Sequence, residues 1–269
     1  MPLYCHFFYT FVAELTTFIQ FDDMLSKNAI HRIRRLELKK FRDQEGLFVA
    51  EGPKVVSELL DGGFEPVELY AAVDDFGRGA SMVSAAEIKA VSFLQHPQGV
   101  VGVYRIPKRV LPESLPSELI LALDGVQDPG NVGTIIRIAD WFGIKTVLMS
   151  ADCADCWGPK VVQATMGSLA RVNIYSCDLP KVLSRSELPI YGTLLDGTDI
   201  YAQELAEKGI IVMGNEGKGL SAAVRNLVTQ RLLVPSYSSH SAESLNVAVA
   251  TAVVCSEFRR RHRCITTAS

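Results

Sequence analysis

Gly209-Ile-Ile-Val-Met213-Gly214-Asn215-Glu216-Gly217-Lys-Gly219-Leu-Ser221 is the stretch whose reading decides the fold. Its first five residues are a short apolar run, the mark of a buried strand, and the glycine-rich turn behind them opens toward a helix. The plan recurs about twenty residues on. Leu232-Leu-Val234-Pro235 reads as a second short strand. After a polar loop, Ser241-Ala-Glu-Ser244-Leu245-Asn246 stands where a helix starts, and an apolar stripe continues through 247–258. Two strand-to-loop-to-helix junctions this close imply one ligand clasped by both loops, because strand ends in open α/β sheets build such crevices.

Upstream, strands and helices alternate. The pattern predicts strands over 119–123, 146–149, 172–175 and 190–195, and helices over 132–142, 160–169 and 179–183. Periodicity alone implies a doubly wound, mainly parallel sheet. The charged, proline-bearing run 107–116 reads as a linker. Before it, Ser26 is positioned to cap one long helix over 27–42, whose apolar side is Ile30, Ile33, Leu36 and Leu38. That helix carries Lys27, Arg32, Arg34, Arg35, Lys39, Lys40 and Arg42 against Glu37 alone, either a solvated face or an RNA-phosphate contact. Strands over 47–50, 67–71 and 101–104 and a helix over 53–60 complete a small α/β domain.

The 269 residues, 48% of them hydrophobic, suffice for two domains with full cores. A net charge of −3 argues against a general nucleic-acid coat protein but leaves room for a local basic face. Six cysteines show no disulfide framework, and Cys153-Ala-Asp-Cys156 lacks the second pair that a zinc site needs; the expectation is reduced thiols and no metal. Residues 1–23 are apolar and aromatic, yet they lack the basic start and small-residue cleavage site of a secretory signal, and they are too interrupted to span a membrane. Met24 is the expected start, with 1–23 an upstream extension, in a cytoplasmic protein.

The glycine-rich loop admits several chemistries. A Walker A loop needs glycine five residues before its Gly-Lys pair, where Val212 stands. A dinucleotide fingerprint fits locally over Gly217-Lys-Gly219-Leu-Ser-Ala222, but the next strand ends at Val234-Pro235 without the acidic residue that holds a ribose. A plain connecting turn is the remaining local reading.

Three motifs together say more. Asp124-Gly-Val-Gln-Asp128-Pro-Gly-Asn131-Val-Gly-Thr-Ile-Ile-Arg137, then Val212-Met-Gly-Asn-Glu216-Gly-Lys-Gly, then Val234-Pro-Ser with Glu243-Ser-Leu-Asn246-Val-Ala resemble, in order, the motifs of the SpoU (TrmH-type) RNA ribose 2′-O-methyltransferases of the SPOUT superfamily. The resemblance covers roughly residues 24–262. It implies an L30e-like RNA-binding domain over 24–106, a linker over 107–117, and a methyltransferase domain over 118–269 with a deep C-terminal trefoil knot. It also implies a homodimer whose protomers share each site. The L30e-like domain favours ribosomal over transfer RNA as substrate. Two rival classes stand beside it: a non-catalytic RNA-binding protein with the same fold, and a nucleotide-dependent oxidoreductase.

Methyl transfer from S-adenosylmethionine to a ribose hydroxyl is an in-line displacement. It needs a cofactor pocket, a held nucleotide and a route for the hydroxyl proton. The resemblance assigns Gly214, Val234 and Leu245 to the pocket, with Met213, Asn215, Gly217 and Pro235 lining it. It assigns Asn131, Arg137, Glu216, Ser244 and Asn246 to catalysis. Asn131 and Arg137 lie six residues apart and so off one helical face. Asn131 is expected in the loop as a helix cap. An arginine within an apolar helix is costly without a partner; Arg137 is expected to act as a clamp rather than a base, because its guanidinium is effectively never neutral in proteins, and Glu216 or Asp140 could pair with it. Glu216 is expected to orient Arg137 or Asn246, unless it is only a first-turn glutamate. Trp157-Gly158-Pro159-Lys160 departs from the family pattern, which often has asparagine or serine before the proline, and His240 could touch RNA.

Overall fold

The computed structural model of the chain describes residues 25–238 and 244–262. The readings made for 1–24, His240 and Glu243 lie outside the described residues. The N-terminal part consists of α1 (Lys27–Arg35), α2 (Lys39–Glu45), β1 (Leu47–Glu51), α3 (Pro53–Asp61), β2 (Pro66–Ala71), β3 (Ser81–Met82), α4 (Ala85–Val91) and β4 (Val100–Arg105). Its sheet has the order β1-β4-β2-β3, with β4 antiparallel to both neighbours and the short β3 parallel to β2.

The single helix expected over 27–42 is broken. Leu38 is extended, at φ −94° and ψ 130°, and 58% exposed, so it does not belong to the buried side. Arg42 explains how the break is tolerated: its Nη1 donates to the carbonyls of Leu36 and Glu37, both at 2.7 Å, where α1 ends. The basic face shrinks accordingly. Arg42 is buried, Arg32 pairs with Glu68, Arg34 donates to the Ser92 carbonyl, and Lys39 pairs with Asp43. Periodicity also passed over α4, which Ser84 and Glu87 close with a reciprocal capping box.

The C-terminal part alternates β5 (Leu119–Asp124), α5 (Pro129–Trp141), β6 (Thr146–Met149), α6 (Pro159–Thr165), β7 (Asn173–Ser176), α7 (Leu179–Leu183), β8 (Ile190–Asp199), β9 (Gly209–Gly214), α8 (Ala222–Arg225), β10 (Gln230–Leu233) and α9 (Val247–Arg261). The helix expected over 160–169 stops at Thr165, because Met166 turns left-handed at φ 51°, and a 3-10 turn follows at Ser168–Ala170.

The six strands form one sheet, β10-β8-β9-β5-β6-β7, parallel throughout. Both faces are covered, and that accounts for the unbroken apolar runs. Leu119, Leu121 and Leu123 of β5 join Ile211 and Met213 of β9 in a core with α5, α6 and α9, while Ile120, Ala122, Ile210 and Val212 face α7 and α8 on the other side. From β5 the chain steps outward to β6 and β7, then crosses to the far side for β8 to β10. The strand order therefore reverses between β5 and β9, the place where open α/β sheets leave a crevice at their carboxyl ends.

The two parts are docked. Arg42 meets Asp155 at 2.6 Å, Phe48 packs on Trp157 with ring centroids 4.9 Å apart, and Arg171 ties Glu58 of α3 to Asp140 of α5. Among the described residues no helix is long and apolar enough to cross a membrane.

Candidate active site

The three motifs converge at the β5/β9 crevice. β9 ends at Gly214, where the chain turns back sharply: Asn215 and Gly219 exchange backbone hydrogen bonds at 3.0 and 2.9 Å, with Gly219 at φ +68°. A Cβ on Gly214 would sit 2.4 Å from the Gly219 carbonyl carbon, so only glycine lets the two arms approach. The Asn215 side chain fixes the turn from inside. Its Oδ1 accepts from the N–H groups of Gly217 and Lys218, both at 3.0 Å, and its Nδ2 donates to the Gly125 carbonyl at 2.7 Å. Asn215 thus locks the β9 loop to the β5 loop, and the Gly217 N–H is already engaged.

The loop after β5 is set by Asp124 and Asp128. Asp124, buried, accepts from the Ser221 N–H at 2.6 Å, and Asp128 caps α5 by accepting from the Asn131 N–H at 2.8 Å. Asn131 is therefore in the first turn of α5 and not its cap, because Pro129 starts the helix earlier than periodicity indicated. This frees its side chain. Asn131 Nδ2 donates to Glu216 Oε1 at 3.0 Å, and Asn131 Oδ1 accepts from Asn246 Nδ2 at 2.9 Å. Asn246 in turn caps α9, its Oδ1 accepting from the N–H groups of Ala248 and Val249 at 2.9 and 3.2 Å. One side-chain chain, Asn246–Asn131–Glu216, crosses all three motif loops.

Glu216 sits in the turn itself, ahead of α8, so the first-turn reading does not hold. It also accepts from the N–H groups of Asp128 and Gln127 at 3.3 and 3.4 Å. Burial pushes its pKa up, but the Asn131 amide and the backbone N–H groups outweigh burial and leave it below the ordinary carboxylate value.

Arg137 departs most from expectation. It is exposed on α5 and, among the described residues, makes no hydrogen bond or ion pair. The proposed partners are occupied elsewhere, since Asp140 holds Arg171 and Glu216 holds Asn131. The premise of a costly arginine inside an apolar helix fails because α5 has an open face. Met213 is buried, Val234 and Pro235 lie half-buried just beyond β10, and Ser244 and Leu245 are exposed ahead of α9. The tight turn at Gly214 and the exposed apolar Leu245 suit a flat aromatic ligand presented to backbone groups at the strand ends.

Sequence reasoning missed the support beneath the crevice. Ser150, at the end of β6, accepts from the Gly125 N–H at 2.8 Å and donates to Asp152 at 2.5 Å. No spacing rule signals a residue that acts only through its neighbour's backbone. Of the C-x-x-C pair, Cys153 donates to the Leu123 carbonyl, and burial pushes Cys156 up to about 12, away from the thiolate that a metal or redox site needs. No cluster of three possible metal ligands exists among the described residues.

Comparison with known proteins fits this geometry. Residues 118–256 match the SpoU rRNA Methylase family, and residues 27–102 match the MRM3-like substrate binding domain. The chain is 32% identical over 238 residues to the 23S rRNA (guanosine(2553)-2′-O)-methyltransferase RlmP of Bacillus subtilis, covering 84% of this chain and 94% of that one. A crystal structure of an AdoMet-bound rRNA methyltransferase from Sinorhizobium meliloti superposes with TM-score 0.77 at 30% identity, covering 88% of this chain and 96% of that one. A TrmH-family structure from Porphyromonas gingivalis reaches TM-score 0.78 at 42% identity, over 88% and 99% of the two chains. The chain belongs to the SpoU family of RNA ribose 2′-O-methyltransferases, and its methyl donor is S-adenosylmethionine.

Proposed function

We propose that the chain methylates a ribose 2′-hydroxyl in structured ribosomal RNA, with its cofactor at the ends of β9 and β10 and its target nucleotide over the first turn of α5. The observation that carries this reading is the Asn246–Asn131–Glu216 chain, which ties the three motif loops into one rigid rim at the strand-order reversal. Gly214, Asn215, Gly217, Val234, Pro235 and Leu245, with the backbone of Met213, would hold S-adenosylmethionine. Bound there, the cofactor supplies an electrophilic methyl group. Asn131, with Ser244 beside the N-terminus of α9, positions the ribose, and Glu216 keeps Asn131 turned toward it.

Arg137 is assigned the clamp on the target's phosphate or hydroxyl. Its positive field makes the hydroxyl proton easier to lose to water or to a phosphate oxygen. It lies about 120° around α5 from Asn131, on a face pointing away from its own crevice. Such a residue reaches a site only if a second copy of the chain brings it, and that supports a homodimer with composite sites. Trp141, one turn further along α5, is 84% exposed and would be covered in that dimer. We infer further that the chain divides at 107–117, and that the segment carrying α9 passes through a loop as a deep trefoil knot. We place the enzyme in the cytoplasm with its ribosomal RNA, and assign it no metal and no membrane.

The test is transfer of tritiated methyl groups from S-adenosylmethionine to unmodified ribosomal RNA, with nuclease digestion to identify a 2′-O-methylnucleotide. Label in transfer RNA alone would move the substrate assignment, and no label with intact S-adenosylhomocysteine binding would leave an RNA-binding protein.

A further inference from the structure

A cavity of about 300 Å³ lies where the two parts of the chain meet, walled by Val49, Phe93 and Leu94 on one side and Pro159 and Lys160 on the other. It shares no residue with the motif crevice, yet α6 connects them: Ala164 lines the cavity, and its Cβ lies 2.5 Å from where a Cβ on Gly133 of α5 would stand. At the cavity wall is Glu51, a carboxylate only 5% exposed. Ser92 Oγ donates to one of its oxygens and the Phe93 N–H to the other at 2.8 Å, leaving each oxygen a free lone pair. Burial pushes this carboxyl above its ordinary range, which Ser92, Phe93 and the Arg34 charge offset only in part.

One cation lines the cavity, and a second braces its aromatic wall. Lys160 is exposed at its rim with no ion pair among the described residues, and the Arg34 guanidinium lies 5.0 Å from the Phe93 ring centroid. An apolar slot with an aromatic wall, a buried acceptor and a cation at its edge has the chemistry of a nucleotide site. The ring stacks on a base, the carboxylate accepts from an exocyclic amine, and Lys160 meets a phosphate, while Arg34 stays on the Ser92 carbonyl and the Phe93 ring.

We propose that this groove binds an unpaired, amino-bearing base of the RNA substrate, flanking the nucleotide to be methylated. The inference rests on the RNA reading above and adds a second RNA contact, built jointly by the substrate-binding and methyltransferase parts. The occupant is a base rather than an apolar peptide because the cavity places a desolvated carboxylate among its walls, where an apolar side chain would leave it without a further donor.

Affinity for single-stranded decamers of cytidylate and of uridylate, measured by filter binding with S-adenosylhomocysteine present, tests this directly, because only cytosine carries the amine. Wild type should bind the cytidylate decamer at least about fivefold more tightly. Lys160→Glu, on the surface and safe for folding, should weaken both by about tenfold, and Leu94→Trp, which fills the slot, should erase the preference. Equal affinity of wild type for the two decamers, binding of neither, or a Lys160→Glu variant that binds like wild type overturns the proposal. Decamer binding is independent of methyl transfer, so the groove can fail while the methyltransferase reading stands, and the reverse.

Discussion

Asn246 has two roles, and one substitution separates them. As the cap of α9 it needs only an acceptor; as a partner of Asn131 it needs a donor. Aspartate caps as well as asparagine, so Asn246→Asp should leave the unfolding midpoint nearly unchanged. It should cost methyl transfer up to about tenfold, because Asn131 Oδ1 faces a second acceptor and loses a hydrogen bond worth about 0.5–1.5 kcal/mol. A variant that is fully active, or one that is inactive only because it unfolds, would remove Asn246 from the rim. Glu216 gives a second residue-scale test. Its pKa is lowered in the fold, so its stabilising contribution is present above the ordinary carboxylate value and is lost as pH falls through the lower folded value. The difference in unfolding midpoint between wild type and Glu216→Gln should therefore persist at neutral pH and shrink only on the acid side of the usual carboxylate range. Both residues were legible in the sequence through their motifs. The partner of each was not, since Asn131 lies 115 residues from Asn246 and 85 from Glu216, and only the assembled sheet brings them together.

At the scale of elements, the turn after β9 sorts its own glycines. A Cβ on Gly214 meets the Gly219 carbonyl carbon at 2.4 Å, while a Cβ on Gly217 meets only Asn215 Oδ1 at 3.8 Å. Gly214→Ala should therefore open the turn and abolish S-adenosylhomocysteine binding in calorimetry. Gly217→Ala should keep binding within a few-fold unless the cofactor itself occupies that space. Equal loss in both would mean that ligand contact, not backbone approach, explains the motif. Leu245→Trp, placed at the exposed entry to α9, should abolish binding by filling the pocket without touching the turn. The central strands β5, β6 and β9 were legible because each is buried along its whole length and reads as an apolar run, whereas the edge strands β7 and β10 are partly exposed and carry polar residues. Helix ends were less so: the break at Leu38 depends on Arg42 reaching back to the freed carbonyls, a contact that periodicity does not encode. The capping box at Ser84 and Glu87 was encoded and would have revealed α4.

At the scale of the molecule, docking of the two parts and pairing of two chains are the features that a single sequence conveys least. Arg42 and Asp155 are 113 residues apart, and their pair is the most buried ion pair across the junction. Removing one side of such a pair costs about 3 kcal/mol, so Arg42→Met should lower the unfolding midpoint of the whole chain if the parts unfold together, and split the transition if they do not. The proposed dimer yields a sharper argument, because Arg137 is exposed on α5 and makes no hydrogen bond or ion pair among the described residues. If each site takes Asn131 from one copy and Arg137 from the other, Asn131→Ala and Arg137→Ala homodimers are both inactive. Their heterodimer then carries one site with both defects and one with neither. Mixing the two variants under conditions that exchange subunits should restore about a quarter of wild-type methyl transfer, since half the dimers are mixed and each has one intact site. If Arg137 served its own crevice, every site in every combination would lack one residue and mixing would restore nothing. Under the proposed dimer, Trp141→Glu should prevent the restoration and give monomers in sedimentation, because it places a charge on the exposed face assigned to the second copy. Restoration that survives Trp141→Glu would keep the composite site but move the interface off this face of α5.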